Sequence, residues 1–94
     1  MVTHVHACHI LVKTEQEAND ILKEINKGAN FEKMAQLKST CPSAKRGGDL
    51  GWFGRGQMVR EFEKAAFELE KGQTTIKPVR TQFGWHLIKV VDKR

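Results

Sequence analysis

No tyrosine occurs among the 94 residues, and no C-x-x-C pair links the two cysteines, Cys8 and Cys41. Without tyrosine, and with phenylalanine and tryptophan reading better as pocket or core than as stacking platforms, nucleic-acid binding is a minor hypothesis. Without a C-x-x-C, dithiol redox chemistry is weaker still. No run of 18 apolar residues is present to cross a membrane, and the basic-plus-apolar start of a secretion signal is missing. No internal repeat, linker or low-complexity segment interrupts the chain. With the two thiols taken as unpaired, these absences make a cytoplasmic protein, or a domain whose targeting segment has been removed, the expectation, and Met1 at the start favours the first.

What is present fits one small globular unit. The apolar fraction is 39% and the charged fraction 29%, so residues 1–94 are expected to form a single, monomeric domain burying about 60 to 65% of its unfolded surface. The net charge is a modest +5. Lys33, Lys38, Lys45, Arg46, Arg55 and Arg60 face only Asp49 in that part of the chain. Such a patch can hold a polyanion or steer acidic partners, and a solvated face explains it as well.

Residues 4–12, H-V-H-A-C-H-I-L-V, read as a buried strand. Period 2 places Val5, Ala7, His9 and Leu11 on one face and His4, His6, Cys8, Ile10 and Val12 on the other. His9 therefore points away from His4 and His6, which argues against a three-histidine metal site; no metal or cofactor is expected. Thr14 and Glu17 make a capping-box pattern ahead of Ala18, Ile21, Leu22 and Ile25 at helical spacing, with Gly28 as the stop. A second helix is expected from about Phe31 to Lys38, capped by Asn30, with Phe31, Met34, Ala35 and Leu37 as its apolar side.

The segment Cys41–Phe62 organises the rest. Its 22 residues hold five glycines, two acids and the apolar set Leu50, Trp52, Phe53, Met58, Val59 and Phe62. Glycine at that density permits tight turns and close backbone approach, and the apolar side chains between them suggest a walled groove. A short strand is expected at Leu50–Phe53, delivered by a turn through Asp49-Leu50-Gly51. From Val59 the spacing is helical, with Phe62, Ala65, Ala66 and Leu69 on one side and Gly72 as the end. Thr74–Val79 reads as an edge strand because Pro78 cannot donate to a central ladder. Arg80–Gly84 reads as a loop and Trp85–Val91 as a last strand with His86, Ile88 and Val90 on one face. The sum is β-α-α-β-α-β-β, an α+β fold with a small, mostly antiparallel sheet.

His9, Cys41, Thr81 and His86 are the reactive or polar positions away from obvious solvent faces. If the last strand pairs beside the first, His9 and His86 approach each other on one side of the sheet. Either histidine alone reads most simply as a hydrogen-bonded core residue; convergence with a thiol and a hydroxyl shifts the balance towards function. A cysteine protease with Cys41 as nucleophile and a histidine base is one reading of these residue types. The chain is small for a protease cleft, and Cys41-Pro42 does not open a long helix.

The motifs H-I-L-V-K at 9–13, C-P-S-A-K-R-G-G-D-L-G at 41–51, G-R-G-Q-M-V at 54–59, F-E-K-A-A-F at 62–67 and T-Q-F-G-W-H-L-I-K-V at 81–90 together resemble the parvulin peptidyl-prolyl cis/trans isomerases. The resemblance covers essentially the whole chain, in the family's order, and is nearest to the small free-standing bacterial members. It implies a four-stranded antiparallel sheet surrounded by helices, in the parvulin/FKBP-like manner, binding an X-Pro dipeptide in a groove. It further implies a proline pocket of Leu50, Met58 and Phe62 closed at the side by Phe83, a polar catalytic network of His9, Cys41, Thr81 and His86, and Gln57 as a secondary substrate contact. The partners implied are X-Pro peptides and unfolded or partly folded proteins.

Two departures bear on substrate. Some parvulins select phosphoserine or phosphothreonine before proline through a long arginine-bearing loop after the first strand. Here Val12-Lys13-Thr14-Glu15 leaves no room for that loop, and Lys13 alone cannot clamp a phosphate bidentately. An unphosphorylated X-Pro preference is expected, with apolar or acidic residues tolerated before proline, the latter because of Lys45 and Arg46. Arg60 stands where relatives often carry proline, which affects rigidity or local charge more than the pocket. The alternative is a peptide-binding chaperone module with little isomerase activity, and third a nucleic-acid or structural adaptor.

Overall fold

The computed structural model describes residues 2–94, which contain three α-helices and four strands in the expected β-α-α-β-α-β-β order. β1 spans His4–Val12, α1 Glu15–Asn26 and α2 Phe31–Lys38. β2 spans Asp49–Gly54, α3 Arg60–Glu68, β3 Val79–Thr81 and β4 Gly84–Lys93. All neighbours in the sheet are antiparallel, in the order β2-β1-β4-β3. The first and last long strands thus form the centre, where both faces are covered.

Local chemistry sets the first three elements. Thr14 Oγ1 accepts the Glu17 backbone N–H at 3.1 Å and Asn30 Oδ1 accepts that of Lys33 at 2.9 Å, satisfying donors that each helix start leaves open. Leu37 departs from expectation: it is 74% exposed. At about 100° per residue it lies roughly 120° round the helix from Phe31, outside the face that Phe31, Met34 and Ala35 present to the sheet.

The sheet separates two apolar clusters, as the period-2 reading of β1 requires. Cys8, Ile10, Val12 and Leu87 pack with Ala18, Ile21, Leu22, Phe31 and Ala35 on the α1/α2 side. Val5, Ala7, Ile88 and Val90 pack with Phe53, Phe62, Ala66 and Leu69 on the α3 side. Burial pushes the Cys8 thiol up to about 11, with the nearby Asp49 and Glu32 adding to it, so Cys8 packs as a neutral apolar group.

Three boundaries differ from the sequence reading. The edge strand expected at Thr74–Val79 is instead Val79–Thr81, beginning immediately after Pro78. Upstream, the chain is tied to β4 by the Thr74–Lys89 bridge, by the Gly72 and Thr75 N–H groups to the Val90 and Ile88 carbonyls (2.7 and 2.9 Å), by Val90 N–H to the Gln73 carbonyl (3.0 Å) and by Ile88 N–H to Thr75 Oγ1 (3.2 Å). The missing donor of Pro78 delays the ladder rather than capping it. The expected Arg80–Gly84 loop shrinks accordingly, with Thr81 paired to Gly84 across a hairpin through Gln82 and Phe83. α3 ends at Glu68 instead of running to Gly72, because Lys93 Nζ bonds the Phe67 and Leu69 carbonyls at 3.0 and 2.6 Å and satisfies its C-terminal end from β4. A short 3₁₀ helix at Pro42–Arg46, closed by Gly47 at φ 68°, was not anticipated.

Candidate active site

The central strand pair brings two histidines together. Leu11 lies opposite His86 and His9 opposite Ile88, so His9 and His86 are diagonal neighbours on the α3 face. Their rings stack at 5.1 Å with 20° between planes, and the two Nδ1 atoms are 3.0 Å apart. Thr81, delivered by the β3–β4 hairpin, places Oγ1 2.7 Å from His86 Nε2 and accepts the Phe83 backbone N–H at 3.1 Å. His9, His86 and Thr81 are all buried. Phe62 sets its ring edge-on against both imidazoles, at 5.5 Å from His9 and 5.2 Å from His86.

Burial, with repulsion from His86, pushes His9 down to about 4, and burial alone does the same to His86. Both rings are therefore neutral near pH 7, with one N–H each. If His86 donates from Nδ1 to His9, its Nε2 accepts the Thr81 hydroxyl, Thr81 accepts Phe83 N–H, and every one of these groups is satisfied. The reverse direction leaves the Thr81 hydroxyl proton without an acceptor among the bonds it makes. Each direction leaves one buried donor unpaired, His9 Nε2–H in the first and the Thr81 hydroxyl in the second, but the second also leaves His9 Nε2 as an unpaired buried acceptor. An unsatisfied buried polar group costs about 1–3 kcal/mol, so the first direction wins. It leaves the His9 proton on Nε2, a buried atom with no partner among the described residues.

Cys41 approaches from the opposite wall. Its backbone N–H donates to Ser39 Oγ at 3.3 Å, and the same oxygen accepts Leu11 N–H at 3.0 Å, tying the α2 exit to the end of β1. The buried Ser43 donates its hydroxyl to Cys41 Sγ at 3.3 Å. Cys41 thus bonds to Ser43 and not to either histidine. The polar network expected as one unit is two: His9–His86–Thr81, and Cys41–Ser43. A Cys–His nucleophile and base pair is not assembled here.

Between these groups lies a cleft of about 450 Å³ walled by Leu50, Met58, Val59, Phe62 and Phe83, with His9, Cys41 and His86 also on its lining. Phe83 is 60% exposed and forms the rim. Thr81 is not on the lining and reaches the cleft only through His86. Gln57 is on the lining, but its Oε1 accepts the Gly54 backbone N–H, so only its NH₂ end remains free. Sequence reasoning passed over Ser39, Ser43 and Glu63. The last accepts the Gly56 N–H at 2.6 Å and Arg55 Nη1 at 3.3 Å, bracing the turn that carries Met58. The serines two residues either side of Cys41 were the available signal, since short hydroxyl side chains bond nearby backbone and side-chain groups.

His4 and His6 lie away from this site. His6 Nε2 is 2.8 Å from Asp49 Oδ1, and among the described residues no group of three or more His, Cys, Asp or Glu is placed to hold a metal ion.

Comparison with known proteins bears on the same elements. Residues 9–92 match the family described as the PPIC-type PPIase (rotamase) domain. The foldase protein PrsA of a Geobacillus species is 52% identical over 90 residues, covering 95% of this chain and 32% of that protein. The chain therefore spans about a third of that curated relative. The crystal structure of PrsA from Bacillus anthracis superposes with a TM-score of 0.95 at 42% identity, over 99% of this chain and 43% of that one. NmPin, the parvulin of Nitrosopumilus maritimus, superposes with a TM-score of 0.85 at 38% identity, over 96% of this chain and 97% of its own.

Proposed function

The chain belongs to the PPIC-type, or parvulin, family of peptidyl-prolyl cis/trans isomerases, and from that premise we propose that it accelerates rotation about X-Pro bonds in unphosphorylated peptides and in folding proteins. The observation that carries the reading is the apolar cleft of Leu50, Met58, Phe62 and Phe83 closing directly on the neutral His9–His86 pair.

An X-Pro bond resists rotation through amide resonance, and uncatalysed exchange takes tens to hundreds of seconds. No bond to carbon has to break, so a strong nucleophile or base is not required. The pyrrolidine ring seats against Leu50, Met58 and Phe62, with Phe83 at the side, while the preceding carbonyl turns. The apolar walls disfavour the charge-separated resonance form of the amide and so weaken its double-bond character. A thousandfold acceleration needs only about 4 kcal/mol of selective transition-state stabilisation.

His9 and His86 form one wall of the pocket as neutral rings, and Thr81 fixes their tautomers from behind. Cys41, held by Ser43, adjusts the electrostatics beside the carbonyl without a covalent intermediate. Gln57 offers its NH₂ end to the peptide. The absence of phosphate selection is supported by the two-residue Lys13–Thr14 connection between β1 and α1, followed by Glu15 and Glu17 in the first helical turn. Lys45 and Arg46, exposed on the 3₁₀ helix that Cys41 opens, support tolerance of an acidic residue before proline. A free thiol at Cys41 suits a reducing compartment such as the cytoplasm.

The test is two-dimensional exchange NMR on an unphosphorylated X-Pro peptide with catalytic amounts of protein. Wild type is expected to speed cis/trans exchange and a folded M58A/F62A variant to lose the effect. Peptide shifts without faster exchange would instead assign a binding module, and no interaction would leave a likeness of fold alone.

A further inference from the structure

Leu50 reaches the cleft through an irregularity in the sheet. β1 and β2 pair His6 with Trp52 and Cys8 with Asp49, so two steps on β1 face three on β2. The extra residue makes a bulge at Leu50–Gly51, and Gly51 occupies the left-handed region at φ 72°. Bulges of this kind re-aim a side chain. Here the re-aimed one is Leu50, which packs against the α3-side core and lines the cleft.

The bulge is closed by one carboxylate. Asp49 Oδ1 accepts the Gly51 backbone N–H at 2.8 Å, an Asx-type turn that spans Leu50. The same oxygen is 2.8 Å from His6 Nε2 on the neighbouring strand. His6 is in turn held against Trp52, with ring centroids 5.5 Å apart, and the Arg94 guanidinium covers that indole at 4.3 Å. Asp49 and His6 face the side of the sheet away from the histidine pair, so neither touches the cleft.

We propose that Asp49, anchored across the strands by His6, is a positioning residue for the isomerase reaction, acting as a latch that holds the Leu50 wall of the proline pocket. The assignment rests on the isomerase reading for its kinetic consequence, and on the bulge geometry alone for its structural one. Asp49→Ala frees Gly51 N–H and releases Leu50. Asp49→Asn keeps an acceptor for that N–H, and His6→Ala removes the cross-strand anchor together with its ring contact to Trp52 while leaving the Asp49–Gly51 bond in place.

The experiment combines methyl NMR of Leu50 with exchange kinetics on an X-Pro peptide. D49A and H6A are expected to shift the Leu50 methyl resonances. In D49A, kcat/KM should fall about tenfold, a loss of ~1.4 kcal/mol carried by KM, while D49N stays within about threefold of wild type. Should D49A not fold, H6A and D49N carry the test. Leu50 methyls unmoved in H6A overturn the cross-strand latch, and a folded D49A with wild-type KM overturns the positioning role. A wild-type protein that speeds no exchange overturns the isomerase reading instead, and the methyl shifts then decide the latch by themselves.

Discussion

His9 and His86, 77 residues apart in sequence, meet through their Nδ1 atoms at 3.0 Å with the rings nearly parallel. Two such atoms can share a hydrogen bond only if one ring donates and the other accepts. Thr81 decides which, because its oxygen already accepts Phe83 N–H and its own proton must go to His86.

The tautomers follow. Nitrogen-15 shifts of the imidazoles at pH 7 should show His86 protonated on Nδ1 and His9 on Nε2. Replacing Thr81 with valine removes the hydroxyl that sets the direction, and the two tautomers should then interconvert. His86 protonated on Nε2 in the wild-type protein would contradict this ordering.

Acid should destabilise the fold in a defined window. Both histidines are held near 4, below the ordinary 6.5, so between those values the unfolded chain binds more protons than the folded one. Stability is therefore full above about pH 6.5 and falls as pH drops towards 4, by about 3 kcal/mol for one such histidine. Urea unfolding at pH 7 and pH 4.5 measures the loss, and an H9F/H86F variant should show a flatter pH dependence.

Gly48 should tolerate no side chain. A Cβ there collides with the His9 carbonyl oxygen, and φ is 84°. The Gly48 carbonyl also accepts His9 N–H at 2.9 Å, so the collision displaces the strand that carries His9. Gly56 has a similar φ of 88° but open space around it. Thermal unfolding should give a cost of about 1 kcal/mol for G56A and upwards of ~3 kcal/mol for G48A.

Cys41 should be replaceable. Its sulfur bonds to Ser43 and not to a histidine base, which fits an electrostatic part and not a covalent one. A folded C41D variant is expected to keep kcat/KM within about tenfold of wild type, a loss of no more than ~1.4 kcal/mol. Near-complete inactivity would argue for chemistry at the thiol.

β1, α1 and α2 could be read from neighbouring residues because their signals are local: a strand-forming run, side-chain caps at Thr14 and Asn30, and apolar spacing. β3 begins later than the local pattern suggests because Pro78 lacks a backbone donor, and α3 ends earlier because Lys93, 24 residues beyond Leu69, completes that helix end. The 3₁₀ helix at Pro42–Arg46 lacks a repeating apolar face to announce it, though Pro42 at its start and Gly47 at its end are consistent with it afterwards.

The sequence by itself determined the order of the helices and strands, the face of β1 on which His9 lies and the residues from which a cleft could be built, since alternation and helical spacing are properties of adjacent residues. Tertiary structure decided which of them touch. The β1–β4 register put His9 against His86, the β3–β4 hairpin set Thr81 behind them, and the β1–β2 bulge bound Asp49 to His6 and turned Leu50 inward. Register relates strands distant in the chain: alternation within β1 fixes its two faces, while the residues it pairs with are settled only when β2 and β4 dock against it.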